Sequence, residues 1–78
     1  CVHCRKLWQL LAHEKLSPRL AQLDTRYLDA DRHQVLASDL GVRGLPTLLL
    51  IKPGQPASRA PAQLSVDALL DWLHRAAG

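Results

Sequence analysis

The chain has 78 residues, ten Lys and Arg against seven Asp and Glu, and a sequence pI near 9.3, which permits one small domain, 1–78, with a burial fraction near the low end for independent folding. The basic residues are scattered, often beside Asp or Glu, with no aromatic-interleaved basic stripe, and no apolar run approaches the roughly 20 residues of a membrane span; nucleic-acid binding and membrane crossing are both disfavoured. With no Phe and no Met, the core must be filled by Leu, Val, Ile, Ala and the two Trp.

Cys1-Val2-His3-Cys4 opens the chain with its only two cysteines and runs into apolar residues at helical spacing, Leu7, Trp8, Leu10 and Leu11, so a helix is expected to about Leu16. Residues three apart in a helix hold their Cβ atoms roughly 5–6 Å apart, whereas a disulfide wants about 3.5–4.5 Å. The pair can therefore close only where the first turn is still adjustable, and Cys1 at the N-cap meets that condition. A helix start has unpartnered N–H groups and the positive end of the macrodipole, both favouring a thiolate. His3 can add positive charge, and Arg5 and Lys6 oppose the dipole but help an anion at Cys1. A thiolate with a second thiol one turn away is equipped for disulfide exchange, with attack by Cys1, a mixed disulfide, and resolution by Cys4.

Other uses of the pair fit less well. A zinc site needs two further ligands, and the candidates His13, His33 and His74 lack the paired short spacing of a zinc finger. A c-type haem attachment needs His directly after the second Cys, where Arg5 stands. An inert disulfide closing so short a loop would add little stability. No metal ligand set and no cofactor beyond the Cys1–Cys4 disulfide itself is expected.

Further along, Ser17-Pro18 reads as an N-cap and first helical residue of a short helical turn through Leu20 and Leu23, with His13 at the solvated surface. Thr25–Asp29 reads as a strand, Asp31 as the cap of a helix carrying Val35, Leu36 and Leu40 with His33 exposed in its first turn, and Gly41 as its left-handed terminus. Asp29 and Asp31 are explained by a strand exit and a cap rather than by metal or acid–base chemistry. After the loop Gly41–Pro46, the unbroken apolar run Thr47–Ile51 reads as a strand buried on both faces, implying helices above and below a sheet. Lys52-Pro53-Gly54-Gln55 has the residues of a type II turn and leads into a short edge strand, Pro56–Ala60. Ser65 caps the last helix, with Asp67 in its first turn, Leu69, Leu70, Leu73 and Ala76 as its buried stripe, and Trp72 packing at the rim.

This order, a CxxC helix, strand, helix, Gly41-Val42-Arg43-Gly44-Leu45-Pro46-Thr47, apolar strand, Lys-Pro-Gly turn, edge strand and Ser-capped helix, resembles the thioredoxin family over essentially the whole chain. The resemblance implies an α/β thioredoxin-like fold with helices on both faces of a small mixed sheet. It makes Cys1 the attacking and Cys4 the resolving cysteine, with His3 and Val2 between them, and Pro46 a cis-proline facing the disulfide while Leu45 offers its backbone to an extended substrate. Val2-His3 stands where ordinary thioredoxins have Gly-Pro. A His before the second cysteine is similar to protein disulfide isomerases and periplasmic thiol oxidases, and shifts the expected couple toward oxidising. Gln9 replaces a kinking proline, Pro61-Ala62 replaces Val-Gly, and Tyr27 replaces a buried Lys. In this family a helix and two strands precede the CxxC, so the expectation is the C-terminal portion of the fold, marginally folded or associating on its own.

The function expected is a thiol–disulfide oxidoreductase acting on protein substrates with cysteine pairs, together with a redox partner protein. The alternatives are a redox-inactive thioredoxin-like interaction module and a small zinc-binding module. The cysteine count fits either a cytosolic reductant or a periplasmic exchanger.

Overall fold

A computed structural model describes residues 2–77. In chain order these form α1 (Val2–Leu11), α2 (Ser17–Leu20), α3 (Gln34–Asp39), β1 (Leu49–Leu50), β2 (Ser58–Arg59) and α4 (Val66–Ala77), an α/β arrangement. The expected cap position of Cys1 lies outside the described residues.

The stripe on α1 sends Leu7 into the core with Leu10 and Leu11 packed beside it, while Trp8 is largely exposed. The helix ends at Leu11 and not at Leu16, for a local reason. The His13 N–H bonds the Leu10 carbonyl at 3.0 Å, a three-residue step that tightens the turn, and the His13 carbonyl accepts from both Leu16 and Ser17. Its Nδ1 accepts the Lys15 N–H at 3.1 Å, so His13, half-buried at the surface, also terminates the helix. This reversal turns Leu16 fully inward. Ser17 is accordingly inside the first turn of α2 rather than its cap; Leu16 holds the cap position without a side-chain bond, and Pro18, lacking an N–H, sits where none is needed.

Thr25–Asp29 is irregular, not a strand. Among the described residues the sheet consists of β1 and β2 alone, and a segment without a ladder partner leaves its backbone to water. The next turn is organised by Asp29 and not by Asp31: its carboxylate accepts the Asp31 N–H at 3.0 Å and its carbonyl accepts from Arg32 and His33. His33, exposed as expected, occupies the N-cap of α3 without a side-chain bond. Of the apolar residues expected on this helix, Val35 and Leu36 are exposed and Leu40 is half-buried at the C-cap, while the small Ala37 is the buried residue.

Gly41 terminates α3 at φ 77°, with its N–H on the Ser38 carbonyl and the Val42 N–H on the Ala37 carbonyl, the two bonds of a Schellman motif. The Arg59 guanidinium donates to the Gly41 carbonyl and thereby ties the end of α3 to β2.

β1 pairs antiparallel with β2, Leu49 opposite Arg59 and Leu50 opposite Ser58. The turn between them has Gly54 at φ 74° and the Gln55 N–H on the Lys52 carbonyl at 3.2 Å, as Pro-Gly in a type II turn requires. The ladder is shorter than the apolar run, and Thr47–Leu50 is half-buried with Ile51 62% exposed. The strand is therefore not covered on both faces.

In α4 the Ser65 hydroxyl accepts the Ala68 N–H at 3.1 Å, the expected N-cap. Leu69 and Leu73 are buried, and Trp72 joins them in the core instead of packing at the rim, its indole N–H donating to the Ser58 hydroxyl at 3.0 Å. The core cluster is Leu7, Leu16, Leu69, Trp72 and Leu73, with Leu48 and Leu50 packed against it.

Candidate functional site

Val2, His3 and Cys4 form the first turn of α1. Val2 is 79% exposed, His3 is exposed and Cys4 is half-buried. Helical periodicity explains the difference, since Cys4 and Leu7 are three residues apart on one side, and the burial of Leu7 draws that side inward. Arg5 and Lys6 point to solvent. The side of the helix four residues beyond Cys4 carries Trp8, 54% exposed, whose ring meets that of Tyr27 with centroids 5.3 Å apart and planes tilted by 58°. This pair fastens the irregular segment after α2 to α1. Beside it, Arg26 makes a two-pronged bond to Asp24, and its guanidinium holds the Asp24 carboxyl below the usual carboxylate range, first by hydrogen bonding and then by charge.

The second set of candidate residues lies on the loop between α3 and β1. The Leu45–Pro46 peptide bond is cis, Leu45 is 56% exposed and Pro46 is half-buried. The Thr47 hydroxyl donates to the Gly44 carbonyl at 2.6 Å, a closed turn that spans the bond. Beside the loop is an open cavity of about 510 Å³, lined by Asp31, Gln34, Val42, Arg43 and Leu45 among others.

The site residues thus fall into two sets, Val2, His3 and Cys4 on α1, and Leu45 and Pro46 on the loop; Cys1 lies outside the described residues. Two features escaped the sequence reading. The role of Thr47 was available from its position directly after Gly44-Leu45-Pro46, a place where a hydroxyl can close a turn. The Trp8–Tyr27 pair had no local sign, because Trp8 lies within an apolar helical stripe and Tyr27 within a strand-like run. Among the described residues no group of three or more His, Cys, Asp or Glu side chains is placed to hold a metal ion, and no helix is long and apolar enough to cross a membrane.

The family model for thioredoxin matches residues 1–75. Protein disulfide-isomerase 1 of Caenorhabditis elegans is 36% identical over 89 residues, covering 100% of this chain and 16% of the relative. Protein disulfide isomerase-like 2-3 of Oryza sativa subsp. japonica is 40% identical over 57 residues, 72% of this chain and 12% of the relative. Protein disulfide-isomerase TMX3 of Homo sapiens is 32% identical over 81 residues, 100% of this chain and 17% of the relative. The chain therefore spans less than a fifth of the length of these relatives. No solved structure matches the chain.

Proposed function

Because this chain belongs to the thioredoxin family, we propose that it exchanges disulfides with protein cysteines through Cys1 and Cys4. The Cys1 thiolate attacks one sulfur of a substrate disulfide, the substrate S–S bond breaks, and the departing substrate sulfur leaves as a thiolate that takes a proton from solvent. Cys4, deprotonated, then attacks the Cys1–substrate bond. The second substrate sulfur leaves as a thiolate that takes a proton from solvent; the substrate has gained two electrons and the chain, having lost them, is oxidised to its Cys1–Cys4 disulfide. In the reverse direction the chain oxidises a substrate dithiol by the same steps. His3 supports the thiolate form, while Val2, Leu45 and the turn at Pro46 receive the extended substrate backbone. The observation that carries this reading is the first turn of α1, Val2 to Cys4, in which Cys4 is half-buried on a helix anchored by Leu7 and stands three positions after Cys1 in the sequence. The reading is supported by relatives whose names are those of protein disulfide-isomerases. A second redox protein would recharge the couple.

The test is reduction of insulin by dithiothreitol with and without the chain. Acceleration by the wild-type chain, lost in Cys1→Ser, is expected. Equal rates with and without the chain would leave a redox-inactive interaction module.

A further inference from the structure

Four arginines of this chain are engaged: Arg26 with Asp24, Arg32 with Asp29, Arg75 with Asp71, and Arg59 with the Gly41 carbonyl. Of the other basic residues, Arg19, Arg43, Lys15 and Lys52 lie outside α1, and Arg5 and Lys6 are the pair carried on α1 itself. They directly follow Cys4, both are exposed, and neither has an ion-pair partner among the described residues. The helix that carries them contains no Asp or Glu, and the next acidic residue in the chain is Glu14, beyond the break at His13. At a rise of about 1.5 Å per residue the two cations start within about 3 Å of Cys4 along the helix axis. That separation is well inside the Debye length of about 10 Å at 0.1 M salt, so both charges contribute to the potential beside Cys4. The remaining surface of the helix is apolar where Val2 and Trp8 are exposed, and it offers no carboxylate to offset them.

We propose that the redox site selects protein disulfides whose cysteines are flanked by acidic residues. The proposal rests on the exchange reading above and adds its substrate class. Glu or Asp beside the substrate cysteine gains the field of Arg5 and Lys6 during encounter, while a Lys or Arg flank is repelled. The chemistry is unchanged: two electrons pass from the Cys1 and Cys4 thiols to the substrate S–S bond, which opens to two thiols. Charge acts on the approach and on the mixed disulfide, where the flank lies beside the helix.

The experiment uses the reduced chain and two symmetrical peptide disulfides of equal length, one with Glu and one with Lys on both sides of the cysteine. Each rate is divided by the rate with dithiothreitol, whose one charge is its attacking thiolate, to remove the effect of the flanks on thiolate attack at the sulfur itself. The normalised preference for the acidic peptide is expected to be about tenfold at about 0.01 M salt, where the Debye length is about 30 Å, and to fall toward one at about 1 M. Double charge reversal, Arg5→Glu with Lys6→Glu, should invert the preference, and the milder Arg5→Gln with Lys6→Gln should bring it close to one with the helix retained by circular dichroism. A normalised ratio of one at low salt, or a preference indifferent to salt and to both variants, overturns the proposal while exchange itself stands. Reduction of neither peptide overturns the exchange reading and this one with it.

Discussion

His3 stands at the second position of α1, exposed and directly before Cys4. A proline is tolerated in a first helical turn because the N–H it lacks has no intrahelical partner there, so His3→Pro removes the imidazole without breaking the helix. If the imidazole supports the thiolate, it stabilises the reduced form and makes the couple more oxidising. His3→Pro is then expected to lower the reduction potential, by about 30 mV for each roughly 1.4 kcal/mol of lost stabilisation. A glutathione redox titration measures it, and an unchanged or higher potential would remove His3 from the mechanism. The neighbouring residues set the context of that measurement. Cys4 is drawn inward by Leu7, whereas Arg5 and Lys6 face water, so substitutions at the cations alter the approach of substrate more than the packing of the helix.

Among the elements, those ended by their own local chemistry were legible from residue types. Ser65 accepts from the Ala68 N–H, Gly41 supplies the left-handed terminus of α3, and Pro53-Gly54 makes the turn between β1 and β2. Each depends on residues within five positions of one another. The failures were of another kind. Thr25–Asp29 has strand-forming residues but no ladder partner among the described residues, and Thr47–Ile51 forms only two residues of ladder, because pairing is decided by distant chain and not by the run itself. The break after Leu11 was hidden because it depends on where a histidine nitrogen and carbonyl point. Two substitutions separate these levels. Ser65→Ala removes one cap bond and should cost about 0.5–2 kcal/mol. Leu16→Ala empties a fully buried position created by the break and should cost about 2–5 kcal/mol. Thermal melts of both variants check the order, and a Leu16 variant as stable as the Ser65 variant would contradict the inward turn at Leu16.

In the whole molecule, one cluster joins the two ends of the described chain, since Leu7 of α1 packs with Leu69, Trp72 and Leu73 of α4 and with Leu16 ahead of α2. The second turn of α1 is thus held by the last helix through Leu7, and the indole of Trp72 extends that support to β2 through Ser58. The two candidate stretches, Cys1–Cys4 and Leu45–Pro46, are picked out by residue type alone, and what the structure adds is a helical first turn over Val2 to Cys4 and a cis bond at Leu45–Pro46. The aromatic contact between Trp8 and Tyr27, 19 positions apart, belongs to the tertiary structure and had no sign in either stretch. The central claim is that Cys1 attacks and Cys4 resolves, and a trapping experiment reaches it most directly. Cys4→Ser leaves the attacking thiol without its resolver, so incubation with a disulfide-bonded peptide should accumulate a covalent adduct that mass spectrometry locates on Cys1 and that dithiothreitol releases. Cys1→Ser should accumulate far less. An adduct that forms equally on Cys4 in the Cys1→Ser variant, or no adduct in either, would contradict the assignment.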